Sequence, residues 1–312
     1  MLLRINLNPM VLPYSDSTRF VWSSFQERYG AIKEYRSETS FDDRNWLLRV
    51  YEPFKVPQGL IVCVNGFSVY GDEDPRIHNI CRAMATAGYR VVQPTFRDLN
   101  DLNITTDSIY DLAACLRALA DDNGLSPDGR VGLFAPSFTA GLGLLACADS
   151  IVNDRISSIC AIGTFANIDS SVEFLMTGED IDDYGRLVLM RNFVELSIGP
   201  NPELIKALDL AIQDNGFKRP EPELPSFIKK MNPENRALFE KLQGSAEFRQ
   251  IIYREILRTD RCKEIYHKMN VVKVLDGIKA PVTLIHGASD DVIHPDESVS
   301  LHKALKEKTK PS

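Results

Sequence analysis

The chain has no excess of basic charge. Its 43 Asp and Glu outnumber 36 Lys and Arg, for a formal net charge of -7, so no long-range positive field draws in phosphate backbones and nucleic acid is not an expected partner. Disulfide and zinc frameworks are not expected either: the six cysteines, Cys63, Cys81, Cys115, Cys147, Cys160 and Cys262, lie in apolar runs without CxxC spacing. No run reaches the roughly 20 apolar residues of a membrane-spanning helix. The opening Met1 to Pro13 is broken by Arg4 and Asn6 and lacks a sustained apolar stretch and a small-residue cleavage site, so the chain reads as cytoplasmic, with no membrane partner. Glycine-rich phosphate loops, dinucleotide fingerprints, metal-ligand spacings, repeats and low-complexity segments are all missing, and no cofactor or metal is expected. The basic cluster Lys303, Lys306, Lys308 and Lys310 reads as a solvated helix end.

What is present is an alternation of strands and helices. Ala31 to Phe41 and Asn45 to Glu52 are β-forming runs joined by Asp42 to Arg44, which suits an antiparallel hairpin. Apolar runs at Leu60 to Val64, Tyr89 to Pro94, Arg130 to Ala135 and Ser157 to Gly163 read as strands, the first buried on both faces. Between them, Asp74 and Pro75 open a helix that Gly88 ends. Ile109, Leu112, Ala113 and Leu116 share one face of a second helix, and a third runs from Phe138 to about Ala148. This order predicts an α/β fold with a parallel sheet covered on both faces. From about Asn167 to Gly277 the pattern is helical and broken by prolines, which predicts an inserted helical cap. The division is therefore 1–166 core, 167–277 cap and 278–312 core, with a last strand at Pro281 to His286 and a helix beginning near Pro295.

The sharpest local feature is Val131-Gly-Leu-Phe-Ala-Pro-Ser137-Phe-Thr-Ala-Gly141, a strand running directly into a small-residue helix with a serine at the junction. A tight turn of this kind strains the serine backbone, exposes its hydroxyl and asks for small residues two positions to either side. Ala135 meets that demand and the β-branched Thr139 meets it less well. The plainer reading of Ser137 is a helix cap.

These segments, in their order over about residues 31 to 308, resemble the α/β-hydrolase superfamily. The resemblance makes Ser137 the nucleophile. Asn65-Gly66-Phe67 is similar to the family's His-Gly turn, so the backbone amides of Phe67 and Phe138 would form the oxyanion hole, with Asn65 in place of the usual histidine. Pro281-Val-Thr-Leu-Ile-His-Gly-Ala-Ser-Asp290-Asp291 is similar to the strand and loop that carry the acid. Asp290 would therefore orient a histidine, with Asp291 a solvated or capping neighbour.

Tyr70 could reach the cleft from the loop after Phe67 and is the candidate substrate-binding residue. In Gly71-Asp-Glu-Asp-Pro-Arg76 the expected roles are helix capping and an Asp74 to Arg76 contact, and His286 is expected to serve packing. Phe174, Leu175, Met190, Phe193 and Leu196 are expected to cover the cleft, or alternatively to form only the cap's own core.

The family's base is a histidine that follows the acid after one further strand. Here only His294 and His302 follow Asp290, while His78 and His267 come earlier and match no part of the pattern. Three explanations stay open: a fragment whose histidine lay downstream, a non-catalytic relative, or a histidine from an unusual position. The expected activity is hydrolysis of a small ester, thioester or amide. The alternatives are a binding or sensor protein on the same scaffold and, with nothing specific in its favour, a lyase. A small-molecule substrate is the expected partner. An unpaired last strand would make a homodimer possible.

Overall fold

The computed structural model describes residues 29–178 and 181–308, together with Phe20, Ser23, Ser24 and Glu27; Met1 to Pro13 and Lys310, considered above, lie outside them. Period-two alternation builds the sheet. In β3 (Leu60–Cys63) Leu60 and Val62 enter a large core on one face while Cys63 enters a smaller core on the other; Val92 and Val91 divide likewise in β4 (Arg90–Pro94). Each fully buried aliphatic side chain of this kind stabilises by about 1.5 to 3 kcal/mol.

The hairpin is β1 (Ile32–Phe41) and β2 (Arg44–Pro53), paired antiparallel from Ile32 with Pro53 to Phe41 with Arg44. Asp42 at φ 52° makes its turn. With β5 (Val131–Pro136), β6 (Ile156–Ile162) and β7 (Val282–Ile285) the sheet runs in the order β1-β2-β4-β3-β5-β6-β7, and all pairs from β4 through β3, β5 and β6 to β7 are parallel. Parallel neighbours need crossovers, and helices provide them. Helix α1 (Pro75–Thr86) packs on one face; α2 (Asp107–Asp121) and α3 (Phe138–Ala148) pack together on the other. Asp74 caps α1 by accepting from the Arg76 amide at 2.9 Å, and Pro75 takes the first position, where a missing N–H costs nothing.

Between β6 and β7 the chain is helical. Its longer helices are α4 (Ile168–Thr177), α5 (Asp183–Phe193), α6 (Pro202–Phe217), α7 (Pro233–Gly244), α8 (Ala246–Arg258) and α9 (Asp260–Lys268). The two stems of this segment meet at an antiparallel bridge between Asn167 and Asn270, supported by the Val271 amide donating to Ala166 O at 3.0 Å. Glu297, nearly buried in α10 (Asp296–Lys308), clamps the first stem. It accepts from the amides of Ala166 and Asn167 at 2.9 and 3.0 Å and from the Ser170 hydroxyl at 2.5 Å. At the basic end of α10 Lys303, Lys306 and Lys308 are exposed, as expected of a solvated helix end. Lys308 Nζ also donates to the carbonyls of Leu275 and Ile278, where the second stem ends.

All six cysteines are free thiols, and burial pushes those of Cys81 and Cys115 well up. Among the described residues no helix is long and apolar enough to cross a membrane.

Candidate active site

The turn from β5 into α3 puts Ser137 at φ 58° and ψ -140°, a conformation costing a non-glycine residue about 1 to 3 kcal/mol. Its surroundings hold it there. The Ser137 amide donates to Ile162 O at 2.6 Å, the Ala140 amide donates to Ser137 O at 2.9 Å, and Thr139 Oγ1 donates to Pro136 O at 2.6 Å. That last bond explains how a threonine fits two residues after the serine: its hydroxyl turns back into the strand end. The tight fit falls on Gly141 instead, where a Cβ would lie 2.2 Å from the Phe165 ring. The Ser137 hydroxyl makes no capping bond to α3.

Phe138 is the first residue of α3 and Phe67 follows Gly66 at the end of β3; their rings meet at 4.7 Å. A Cβ on Gly66 would contact Ser137 Cβ at 3.9 Å, so the loop passes directly over the serine. Neither the Phe67 nor the Phe138 amide donates to a protein acceptor among the described residues. A buried polar network underlies this loop. Asn65 Nδ2 donates to Gly66 O at 3.2 Å and lies 3.4 Å from Asn100 Oδ1, and Asn100 Nδ2 donates to Asp72 Oδ1 at 2.9 Å. Thr95 Oγ1 donates to Asp72 Oδ2 at 2.5 Å, while Gln93 and His78 reach Asp72 O at 2.7 and 2.8 Å. Gly71, at φ 53°, must be glycine because a Cβ would sit 2.7 Å from Asn100 Oδ1. Burial lowers the His78 pKa by disfavouring the charged ring.

Asp290 lies in the loop after β7, at the same end of the sheet as Ser137. Its Oδ1 accepts from the amides of Val292 and Ile293 at 3.0 and 2.9 Å. Its Oδ2 faces Gly163, at the end of β6: a Cβ there would be 3.3 Å from Asp290 Oδ2 and 4.0 Å from Ser137 Cα. Gly163, at φ 61°, thus keeps open the space between the serine and the acid. Sequence reasoning did not single it out, although a glycine ending a strand beside the serine strand was the available signal. The neighbouring Asp291 lines the cavity described below, and its carbonyl accepts from the Asp182 amide at 3.2 Å.

Ser137, Phe67, Phe138 and Tyr70 all line one cavity of about 750 Å³. Tyr70 stands at its rim in edge contact with Phe217, ring centroids 5.0 Å apart. The charges on that side are partly paired: Asp74 takes the Arg76 guanidinium at 2.6 Å, and although burial alone would raise the Asp74 pKa, these bonds hold it below the usual carboxylate range. The helices between β6 and β7 roof the space, but not with the expected set of residues. Leu175 lines the cavity, whereas Phe174 packs on His294 at 5.3 Å, Met190 and Phe193 are buried outside its lining, and Leu196 packs on the core. The inward faces are instead Ile168, Val172 and Leu175 on α4 and Gly185, Val188 and Leu189 on α5. Helical spacing gives each helix several apolar faces, and only their packing decides which looks inward.

None of the five histidines lines this cavity. His78 backs the Asp72 carbonyl, and His267 and His302 are exposed. His294 Nδ1 accepts from the Asp296 amide at 3.3 Å. His286, besides packing, lies beside the acid: its Nδ1 meets Ser298 Oγ at 2.6 Å, and its Nε2 meets Ile293 O at 2.8 Å and Asp290 Oδ2 at 3.5 Å. No group of His, Cys, Asp or Glu that could hold a metal ion occurs among the described residues.

No family model and no curated protein matches the chain. Among solved structures it is similar to the Pyrococcus horikoshii acylaminoacyl peptidase, with TM-score 0.51, 14% identity, and coverage of 92% of this chain and 36% of the peptidase. It is likewise similar to an acylaminoacyl peptidase in complex with Z-Gly-Gly-Phe-chloromethyl ketone, with TM-score 0.51, 15% identity, and coverage of 92% and 37%. The chain thus spans little more than a third of the length of these peptidases. A further match is Candida antarctica lipase A in its closed state, with TM-score 0.49, 16% identity, and coverage of 88% and 69%. At these identities the likeness is one of fold.

Proposed function

We propose that this chain, whose fold is that of the α/β-hydrolases, is a serine hydrolase acting on a small ester, thioester or amide. One observation carries the reading: Ser137 stands in strained geometry in the wall of a cavity, and Gly163 has Asp290 Oδ2 and the Ser137 backbone as its neighbours, 3.3 and 4.0 Å from where a Cβ would lie. In the mechanism Ser137 Oγ attacks the carbonyl carbon. The amides of Phe67 and Phe138 take the developing oxyanion, and fixed donors of this kind are each worth on the order of 3 kcal/mol of barrier. In a complete triad Asp290 would orient the histidine that takes the serine proton; with no histidine in the cavity lining, the proton passes to water and on to the departing alcohol, thiol or amine, and a second water releases the acid from Ser137. Tyr70 contacts substrate at the rim, and the helical segment from about Asn167 to Gly277 acts as a cap that sets specificity.

Since no histidine of this chain lines the cavity, its turnover of simple aryl esters is expected to fall roughly 10⁴ to 10⁶ below that of a complete triad. The test is covalent labelling by a fluorophosphonate. Slow labelling that maps to Ser137 and disappears in Ser137→Ala supports the reading; labelling that persists in that variant, or is absent after prolonged exposure, overturns it. The missing histidine also favours a second reading, a binding or sensor protein that keeps the cavity without the chemistry. That protein would bind ligand and show no labelling at all.

A further inference from the structure

The cavity is chemically uneven. Its charged lining residues, Asp74, Arg76, Asp182, Lys218 and Asp291, come from loops and helix ends. The chamber beside Ser137, under α4 and α5, is walled by Phe165, Ile168, Val172, Leu175, Val188 and Leu189, each almost closed to water. Two hydroxyls lie in that part of the lining: that of Ser171 is spent on Asn167 O at 3.2 Å, and that of Tyr184, on α5, is buried without a hydrogen bond among the described residues. A polar group entering the chamber would find only the Tyr184 hydroxyl to pair with and would otherwise lose its hydration, whereas a hydrocarbon group gains with every methylene. A space of about 750 Å³ also exceeds what an acetyl group fills and lies in the range of sites that enclose a whole small ligand.

We infer that the substrate is an acyl compound with an extended hydrocarbon chain, seated under α4 and α5 with its carbonyl at Ser137. The inference rests on the hydrolase reading only for which end of the ligand faces the serine. It makes α4 and α5 the measuring elements of the site: Val188 and Leu175 limit chain length. The charged rim stays outside the chamber, toward the part of the substrate that leaves.

The test is direct binding, which needs no turnover. Straight-chain primary amides from butanamide to octanamide are titrated calorimetrically into the full chain, and affinity is expected to tighten about fourfold per added methylene, roughly two orders of magnitude across the series. Val188→Trp, which fills the chamber, is expected to weaken octanamide at least tenfold and to leave butanamide within about twofold. Leu175→Phe, a smaller intrusion from the other helix, repeats the test if the first variant does not fold. Affinity that is flat along the series, or a chain-length dependence that survives both variants, overturns the inference. Fluorophosphonate labelling is read separately. Labelling at Ser137 without chain-length dependence removes the acyl-chain inference and keeps the hydrolase; chain-length dependence without labelling does the reverse.

Discussion

The floor and the roof of the cavity are built on different principles. The floor consists of strand ends and the turns that leave them, and its groups are placed by backbone geometry: Ser137 at φ 58°, Gly163 at φ 61°, and Asp290 anchored by two amides. The roof is placed by side-chain packing between helices and is tied to the rest of the fold by the bridge of Asn167 with Asn270, by the Glu297 clamp, and on α5 by Asn192, which bonds the Ile104 amide and the Leu102 carbonyl, each at 2.9 Å. A backbone requirement restricts residue type at a set offset and so leaves a motif. A packing requirement accepts any apolar side chain of suitable volume and leaves only periodicity.

The contrast is broken most severely from the floor. Phe165 is fully buried, fits over Gly141 and stacks 5.5 Å from Phe138, so Phe165→Ala is expected to cost about 3 to 5 kcal/mol, read as a lower denaturant midpoint at unchanged slope. The roof can then be loosened alone. Glu297→Ala leaves the buried amide of Ala166 and the partly buried amide of Asn167 without their acceptor, and a loss of about 1.5 to 3 kcal/mol is expected. Limited proteolysis of that variant should cut first within 168–268 while the sheet survives; cleavage in the sheet at the same rate would show floor and roof to be one cooperative unit.

The smallest effect sharpens the comparison through pH. His78 supports the floor loop, and burial holds its pKa below the ordinary 6.5. The unfolded chain therefore binds more protons than the folded one as pH falls through 6.5, and stability declines from there down to the folded pKa. In His78→Gln the decline over that window should flatten. An unchanged pH slope in the variant would assign it to other groups.

Much of the floor was legible in the sequence. The strand at Val131–Pro136, the serine after it and the helix at Phe138–Ala148 follow from apolar run, turn and small residues, and the observed bounds lie within a residue of those expected. Asp74 and Arg76 likewise pair as their spacing suggests. The network of Asn65, Asn100, Asp72 and Thr95 was not legible, because its members come from separate segments and isolated polar residues carry no periodic signal. The same holds for Glu297, which reads as an ordinary first-turn acid of α10 and acts 131 residues away, on Ala166.

By itself, the sequence determined the layer architecture, the parallel crossovers and the place of Ser137 at a strand end, because strand and helix periods and turn chemistry are local properties of the chain. Only the tertiary structure decided which helix faces roof the cavity, that Gly163 keeps the space between Ser137 and Asp290 open, and that no histidine lines that cavity. Those are relations between residues far apart in the chain. They are settled by how rigid elements pack, and no local pattern encodes that.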